Sequence, residues 1–531
     1  MLQDKNHGIA KGRCEMKSSR INLPLTVIST VVVAAIAILV IIDPVGSTNV
    51  TNTLFNWILT NLGAIILAGT FIAVVFVIYL MLSKYGRLHL GKEGPSFSKF
   101  KIFNMIFCSS FGASALYWCF TEVMFYYNSS MLGIEANSAM AGEYALSYNL
   151  FHWGIPAWTL YAICALPFIY SFYIKGRRDF SLSAACNTIY DGKVGKGGRT
   201  VVDVIFIFAC IGLSSVSLGL AVPLISECLS ALTGWQPGIT MSIGILVVIT
   251  VIFTASAALG LEKGISRLSD FNVYIFIALL VYLFLVGNPI FTLDYITDGL
   301  GLMAANFVRM SFSTDPIAQG GFPQVWTVFY WAYWLLFGPG MGVFIARVCK
   351  GQTLKDTLII TLVAGPCGCW LMHGITQSYV MNAELKGTIN AAEMIANGQD
   401  NQLIIEVFKS TPIPMVAIAA FTIVAITFMA TTMDSNAFTL ASVSSKIDKA
   451  DNPPQTFRIF WCVISAALPI ALISINAELN TIKTIALILC VPLGILFAVV
   501  NVKMLKRIKN EFGGMTKEEL SAYYPPEEEQ L

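Results

Sequence analysis

Residues 326–350 read WTVFYWAYWLLFGPGMGVFIARVCK, an apolar run that begins rich in aromatic side chains and then meets glycines and a proline. Some of these rings share one face at helical spacing, because residues three and four positions apart are neighbours. We expect the GPGMG sequence at 338–342 to break the helix. An aromatic face beside such a break can receive a cation through its ring quadrupoles. For any single ring, packing against lipid or protein is the alternative. The rings on this face are Tyr330, Tyr333, Trp334 and Phe337.

The composition places this stretch in a membrane protein. Of the 531 residues, 56% are hydrophobic and only 12% are charged, and the mean hydropathy is +0.71. A soluble domain carries about 25% charged residues, so we predict an all-α polytopic protein embedded in the lipid bilayer. The net charge of +2 gives no reason to expect a nucleic-acid partner. The twelve cysteines lack CxxC spacing and the four histidines are dispersed, so they predict neither a disulfide framework nor a metal site.

Twelve apolar runs are long enough to cross the hydrocarbon, which takes about 20 residues of helix. A less apolar segment at 292–314 is expected to lie along the membrane interface. The first apolar run follows a polar, basic start, so we expect no cleavable signal. The predicted spans are 22–43, 56–83, 104–127, 149–173, 201–222, 239–259, 268–287, 323–345, 357–381, 413–440, 457–475 and 481–504.

The charges between these spans predict their orientation. Basic residues are concentrated before span one, between spans two and three, after span four and in the later even-numbered connections. The connections at 44–55, 128–146 and 228–238 contain no Lys or Arg. By the positive-inside rule both termini lie in the cytoplasm. The acidic end of the chain is expected to be solvated.

Span three contains a run of small residues from Cys108 to Ser114. Close helix packing explains such a run, and so does a helix that opens locally and offers its backbone to a ligand. Glu122, near the end of this span, could cap, pair or gate. Span four opens NLFHWGIPAWTLY, with Gly154 and Pro156 as an interruption between tryptophans that form either an interfacial belt or an aromatic box.

Span ten carries polar residues inside the sequence ITFMATTMDSNAFTLAS. Hydroxyl groups bonded to their own helix backbone are one explanation. Thr431 and Thr432 also offer the oxygen atoms that suit a hard cation such as Na+. Asp434 is an acidic residue within a span, which is a functional hypothesis by default.

Together these motifs resemble the betaine/choline/carnitine transporter family over nearly all of the membrane portion. The sequences that carry the resemblance include FHWGIPAW (151–158), TDPIAQGGFPQ (314–324), WTVFYWAYW (326–334) and FIARVCKGQT (344–353). The run TDPIAQGGFPQVWTVFYWA is most similar to the carnitine/γ-butyrobetaine branch.

The resemblance implies a LeuT-like fold of two inverted five-helix repeats, 104–287 and 323–506. Two extra N-terminal helices and a linker (22–103) precede them, and an interfacial helix and loop (288–322) join them. Residues 1–21 and 507–531 would be cytoplasmic segments. The resemblance also implies a homotrimer in the bacterial inner membrane.

The resemblance further implies an aromatic box for a substrate ammonium group, built from spans four and eight. This chain departs from the family at Tyr333, usually Trp, and at Phe337, usually Trp or Tyr. Both keep a π face. Carried over residue by residue, the substrate site would comprise Tyr117, Trp153, Trp158, Tyr161, Tyr333, Trp334, Phe337 and Met341.

The sequence leaves two alternatives for how transport is coupled to an ion. Sodium-coupled members hold Na+ between the opened third span and a Phe-x-x-Thr-Ser motif. Sodium-independent exchangers use an arginine in its place, and here Arg267 lies one residue beyond that position. The Na+ site would be formed by Cys108, Phe111, Phe428, Thr431 and Thr432.

We therefore predict a secondary transporter of carnitine, glycine betaine, γ-butyrobetaine or choline, with Na+-coupled uptake favoured over exchange. No enzymatic activity and no resident cofactor are expected, apart from Na+ as a coupling ion. A substrate carboxylate would meet backbone N–H groups freed on span three. A membrane sensor that binds its ligand without flux is the remote alternative.

Overall fold

A computed structural model describes residues 20–92, 94–109, 111–112, 114–177, 181–259, 266–446, 453–474 and 479–524. Within these ranges the chain is helical apart from loops and one pair of two-residue strands. The all-α polytopic fold class is therefore confirmed. The first nine helices are α1 (Leu23–Ile42), α2 (Pro44–Leu82), α3 (Lys99–Ser109), α4 (Ala115–Tyr127), α5 (Ala139–His152), α6 (Ile155–Ile169), α7 (Leu182–Ile189), α8 (Lys196–Thr233) and α9 (Ile239–Leu259).

The second half of the chain continues in the same way. Single π-helical turns extend α6 at Tyr170–Ile174 and precede α12 at Pro323–Val328. The helices are α10 (Ser266–Val286), α11 (Pro289–Phe312), α12 (Phe329–Val348), α13 (Leu354–Leu385), α14 (Ala391–Ala396), α15 (Asp400–Lys409), α16 (Pro414–Val443), α17 (Gln455–Ser474), α18 (Leu479–Phe512) and α19 (Lys517–Ala522).

The helix order agrees with the predicted spans. Among the described residues, nine helical segments are long and apolar enough to cross a membrane, and they correspond to spans one, two, four, five and eight to twelve. The other three predicted spans correspond to the interrupted pair α3–α4, the shorter apolar part of α9, and α10, which joins α11 in a bent pair. The chain thus runs as two helices, five spans, α11 and five further spans, which is the order expected for two five-helix repeats.

The connection predicted at 44–55 is helical instead. Helix α2 begins at Pro44, directly after Asp43, and it is therefore 39 residues long. The Asp43 side chain accepts a hydrogen bond from the N–H of Gly46 at 2.9 Å. An aspartate cap followed by proline in the first turn starts a helix efficiently. The polar residues after Pro44 therefore extend the helix beyond its apolar part.

Spans three and four are interrupted where their small residues lie. Helix α3 ends at Ser109 and α4 begins at Ala115, so span three opens locally. Span four divides into α5 and α6 at Trp153 and Gly154. A side chain at Gly154 would lie 2.4 Å from the Leu150 carbonyl oxygen, so only glycine fits this break.

The break predicted at GPGMG is wrong, because α12 continues through Pro339 to Val348. A Cβ at Gly338 would lie 2.5 Å from the Cys164 sulfur, and one at Gly342 would lie 2.7 Å from the Cys164 carbonyl carbon. These glycines, four residues apart, therefore let α12 approach the backbone of α6 closely. Small residues at this spacing are typical of helix contacts in membranes.

Helix α11 changes direction sharply from its predecessor. The described part of α10 and α11 meet at an angle of 106°. If α10 crosses the membrane, a helix turned this far from it would run close to the membrane plane. This is the orientation expected for the segment 292–314.

The connections predicted to be cytoplasmic meet at one end of the helix bundle. The strand Arg20–Ile21 pairs antiparallel with Ser445–Lys446, and the C-terminal region contacts the connection after α2 as well as the end of span four. The side of the membrane is still a prediction, but these basic segments share one side. Their contacts are Lys84 Nζ to the Gly513 carbonyl at 2.7 Å, Lys99 to Asp356 at 2.8 Å and Lys175 to Glu511 at 2.8 Å.

Candidate functional site

Four buried aromatic rings meet where α12 crosses α6. Trp334 on α12 is the centre of this group, which we call the aromatic cluster. Each of its members is at most 6% exposed. The ring-centroid distances from Trp334 are 5.2 Å to Trp153, 6.0 Å to Trp158 and 4.8 Å to Tyr161.

The cluster depends on a glycine of α13. A Cβ at Gly365 would lie 2.0 Å from Cδ2, 2.2 Å from Cε2 and 2.3 Å from Cε3 of Trp158. The indole of Trp158 therefore occupies the space that any other residue at position 365 would need. The sequence AGPCG shows that small residues lie here, but it does not show which side chain packs against them. This contact could therefore not be predicted from the sequence.

Tyr333 and Phe337 form a second pair of rings on α12, with centroids 4.8 Å apart. Tyr333 reaches the cluster at Trp153, 6.4 Å away, and its hydroxyl donates to the Ser114 hydroxyl at 2.6 Å. The phenol thus joins α12 to the beginning of α4, where span three resumes after its break. Met341, one turn beyond Phe337, is partly exposed.

Tyr117 lies on α4 and contacts an element outside the aromatic cluster. Its hydroxyl donates to the carboxylate of Asp400, the first residue of α15. Its ring packs against Trp118, with centroids 4.9 Å apart. The structure thus connects Tyr117 to the short helices between α13 and α16.

Glu122 is a fully buried carboxylate directly behind the cluster. It accepts hydrogen bonds from the Trp153 indole at 2.7 Å and from the Tyr330 hydroxyl at 2.6 Å. The Tyr126 hydroxyl donates to its other oxygen. Three donors from three elements are an arrangement that stabilises a carboxylate away from water. Of the roles considered from sequence, pairing with neutral donors is the one that the structure shows.

His152 extends this network. Since the Tyr126 hydroxyl donates to Glu122, His152 Nδ1, 2.7 Å from that hydroxyl, is the donor of their bond. Nε2 lies 3.0 Å from the Thr327 hydroxyl, which is able to donate to it. A neutral ring with its proton on Nδ1 matches both contacts.

The residues predicted to bind Na+ lie on two elements joined by a phenylalanine of α10. Phe276 contacts Phe111 at 5.5 Å and Phe428 at 6.0 Å between centroids. The Cys108 carbonyl accepts from the Phe111 N–H at 3.2 Å, and the Thr431 hydroxyl donates to the Phe428 carbonyl at 3.0 Å. Thr432 is partly buried on the same helix. The side chain of Arg267 lies outside the described part of the structure.

Asp434 forms a buried ion pair with Arg458 of α17, at 2.7 Å. Arg458 also lies over the ring of Phe438, 5.4 Å from its centroid, and Arg347 lies 5.7 Å from the same ring. A cation near Asp434 could not be anticipated from span ten alone, because Arg458 lies 24 positions away, beyond a loop. The acidic residue of span ten is thus neutralised within the protein.

Sequence comparison relates the chain to known transporters. The family model described as BCCT, betaine/carnitine/choline family transporter, matches residues 24–513. An uncharacterized transporter, YeaV, of Escherichia coli strain K12 is 30% identical over 455 residues, 86% of this chain and 95% of that protein. A carnitine transporter of Acinetobacter baumannii is 29% identical over 468 residues, 88% of this chain and 85% of that protein.

Among solved structures, the substrate-bound outward-open state of a Na+-coupled sialic acid symporter matches with a TM-score of 0.38 and 10% identity, covering 86% of this chain and 85% of that one. This similarity is too low to support a statement about the present chain. The family match, in contrast, extends over almost the whole sequence. The chain therefore belongs to the betaine/carnitine/choline family of transporters.

Proposed function

We propose that this transporter moves a trimethylammonium compound across the membrane by alternating access. The candidates are carnitine, glycine betaine, γ-butyrobetaine and choline. Members of the family are transporters, not enzymes, so the open question is the cargo. The observation that carries the proposal is the aromatic cluster, in which Trp334 lies against Trp153, Trp158 and Tyr161 in a buried position.

A quaternary ammonium group suits such a cluster for a simple reason. It has no N–H to donate, so it gains little from hydrogen-bond acceptors and is bound through ring faces instead. Desolvated contacts of this kind contribute about 2 kcal/mol or more. Glu122 adds a second attraction, because its carboxylate lies at the N–H edge of the Trp153 indole. A cation against a face of that ring would interact with this charge in a medium of low dielectric.

Na+ coupling is the favoured mode, and the residues present are chemically suited to it. Carbonyl and hydroxyl oxygens are ligands for a hard cation, and the interruption of span three removes backbone groups from regular helix pairing. When bound, Na+ would supply a positive charge between the two elements. Thr431 would have to turn its hydroxyl from the Phe428 carbonyl. Exchange without Na+, with Arg267 as the replacement cation, is the alternative.

The A. baumannii relative, whose name identifies it as a carnitine transporter, supports a trimethylammonium substrate. The grouping of basic connections at one end of the bundle supports an orientation with both termini in the cytoplasm. The homotrimer and the bacterial inner membrane are proposals that rest on the family resemblance.

Uptake into proteoliposomes tests the function and its coupling together. Radiolabelled glycine betaine, carnitine or choline is offered with an inward Na+ gradient, with no gradient, and with unlabelled substrate inside. Symport predicts accumulation that requires the Na+ gradient. Exchange predicts uptake that requires unlabelled substrate inside the proteoliposomes and does not depend on Na+. Binding of these compounds without flux in any condition would indicate a sensor.

The aromatic cluster is tested by Trp334→Ala, which should raise KM about tenfold or more, since a desolvated cation–π contact is lost. Trp57→Ala is the matched control, because Trp57 on α2 is 55% exposed on the outside of the bundle. Unchanged affinity in Trp334→Ala would exclude the cluster as the binding site.

A further inference from the structure

Two short helices, α14 and α15, lie at the end of the bundle opposite to the basic connections. Helix α13 begins beside those connections, where the Leu354 N–H donates to the Leu88 carbonyl at 2.9 Å. It then runs for 32 residues to Leu385, so its far end lies at the other end of the bundle. Helices α14 and α15 connect that end of α13 to α16. We call residues 391–409 the α14–α15 segment.

The α14–α15 segment is fastened to both ends of α4. The Asn128 side chain, at the end of α4, donates to the Ala392 carbonyl at 2.7 Å. The Tyr117 hydroxyl, in the first turn of α4, donates to the carboxylate of Asp400. Along the helix axis these two residues of α4 are about 16 Å apart. The segment therefore follows α4 from the end of the bundle to the break in span three.

The same segment also packs against α8 and α16. Gln402 donates to the carboxylate of Glu227 on α8 at 2.9 Å. The buried ring of Phe408 lies against Phe120 of α4 and Phe421 of α16, with centroids 5.4 Å and 4.9 Å away. This apolar packing contributes equally at all pH values. The contacts that a change of pH can alter are the two that end on carboxylates.

Two carboxylates meet at the beginning of α15. Asp400 and Glu227 are partly buried and close enough for their charges to repel each other. Each receives a hydrogen bond from an uncharged side chain, and among the described residues neither forms an ion pair. Lys409 attracts Glu227, but its ammonium is paired with Glu406 at 2.8 Å. Two negative charges therefore face each other with little compensation while the segment is docked.

Burial raises the pKa of Asp400, although the hydrogen bond from Tyr117 opposes this shift. The titratable group that faces Asp400 from α4 is Tyr117, and the one from α8 is Glu227. Helix α16 adds none over residues 414–433, which contain no ionisable side chain, and Glu393 on α14 is exposed. The charge of this contact is therefore set by the two carboxylates.

The docked segment therefore binds a proton more tightly than a detached segment does. Burial and a neighbouring negative charge both favour the neutral form of a carboxyl group, and the first proton belongs to the pair. By linkage, docking is most stable where the pH is low enough for the pair to hold a proton. It weakens as the pH rises through the raised pKa of the pair.

We propose that the α14–α15 segment is a proton-operated lid. A proton held by Asp400 and Glu227 fastens the segment to α4 and α8, and release of that proton lets the segment lift from the break in span three. If the termini are cytoplasmic, the lid faces the outside, so external acid would slow the entry of substrate. The inference goes beyond the proposed function, because it concerns access to the protein and not the identity of the cargo.

Hydrogen exchange of the purified full-length protein tests the lid without a substrate. Helix α15 has only ten residues, and a helix this short is marginal in water once it is detached, so lifting exposes its amides. Exchange within 391–409 is followed by mass spectrometry from about pH 4 to pH 8, with each exchange time corrected for the pH dependence of chemical exchange. In the wild type, protection should be greatest in acid and fall by up to about tenfold per pH unit while the pair loses its proton.

Three variants separate the effect of charge from the effect of the hydrogen bond. Asp400→Asn and Glu227→Gln keep an acceptor oxygen but carry no charge, so both should stay protected across the whole pH range. Tyr117→Phe removes a donor to the segment, so it should lower protection about fivefold or more at every pH. Glu393→Gln is the matched control, because this glutamate lies exposed on α14. It should keep the pH dependence of the wild type.

Uptake of labelled glycine betaine, carnitine or choline into proteoliposomes gives the second readout. With the internal pH fixed, external acid should slow uptake by the wild type, whereas Asp400→Asn should be slow at every external pH.

Wild-type protection that is constant or rises with pH would overturn the inference, and this measurement needs no variant that must fold. Asp400→Asn and Glu227→Gln proteins with the pH dependence of the wild type would also overturn it, as would an equal change in Glu393→Gln. A protein that transports none of the three compounds would refute the proposed function, while hydrogen exchange would still decide whether the lid exists.

Discussion

Replacing Gly365 by alanine should disable the aromatic cluster by moving one ring. The new Cβ would lie 2.0–2.3 Å from three ring carbons of Trp158, whereas carbon atoms pack at about 3.5–4.0 Å. The indole would have to shift by about 1.5 Å. It is fully buried, with Tyr161 and Trp334 against it, so the shift must displace those rings or spoil their alignment.

The energies predict that Gly365→Ala impairs transport more than it impairs folding. Overpacking costs about 1–3 kcal/mol, and alanine returns about 1 kcal/mol because it favours the helix over glycine. The free energy of unfolding should therefore fall only slightly. Loss of one well-placed cation–π contact costs about 1–2 kcal/mol, which corresponds to a KM about 5- to 30-fold higher.

Uptake kinetics and thermal unfolding of the purified protein provide the two readouts. Gly244→Ala on α9 is the matched control, because a Cβ there has no atom of the described residues within 4 Å. The control should leave KM unchanged and hold or raise the unfolding temperature. Normal KM in Gly365→Ala, with a well-folded protein, would show that the position of Trp158 does not matter for substrate. A collapse of folding with no interpretable uptake would show that the overpacking estimate is wrong.

Three further changes test the polar contacts of the bundle. Glu122→Gln should lower the free energy of unfolding by about 3 kcal/mol, since three buried donors then share a single acceptor oxygen, whereas Glu143→Gln at an exposed position should have no effect on thermal unfolding. Arg458→Met should cost about 3–5 kcal/mol because it removes the cation that neutralises the buried Asp434, and adding Asp434→Asn should recover much of the loss; no recovery would exclude the ion pair as the cause. Burial raises the pKa of Asp400, although a tyrosine hydrogen bond opposes the shift. Docking of α15 should therefore be most stable below about pH 4 and weaken as pH rises through the raised pKa. An Asp400→Asn protein whose unfolding temperature keeps the same pH dependence would contradict this.

Local features of the fold were largely predictable from the sequence. Long apolar runs identify spans wherever they occur, and Gly154 beside Pro156 marks the interruption of span four because both residues disfavour a continuous helix. The same rule failed at GPGMG. Glycine can interrupt a helix, or it can let two helices approach each other closely. The neighbouring residue, here Cys164, decides which of these happens. Proline in membrane helices is tolerated where adjacent helices satisfy the freed backbone.

The candidate site was predictable only in part, because its rings are recognised by pattern but its polar contacts are set by distant residues. Trp153, Trp158, Tyr161 and Trp334 do come together. Tyr117, in contrast, bonds to Asp400, which lies 283 positions further along the chain. No local spacing encodes such a partner, and the same holds for Trp153 and Tyr330, two of the three donors to Glu122.

The short strand pair near the N-terminus constrains how the bundle can move. The N–H of Asn22 donates to the Ser444 carbonyl at 2.9 Å, and Arg20–Ile21 pairs with Ser445–Lys446, while α1 packs along α17. Any tilt of α16 during transport must therefore carry α1 with it or break these backbone bonds. Each bond contributes only about 1 kcal/mol, so the strand pair can break and form again reversibly. Whether it is formed then depends on the position of α16.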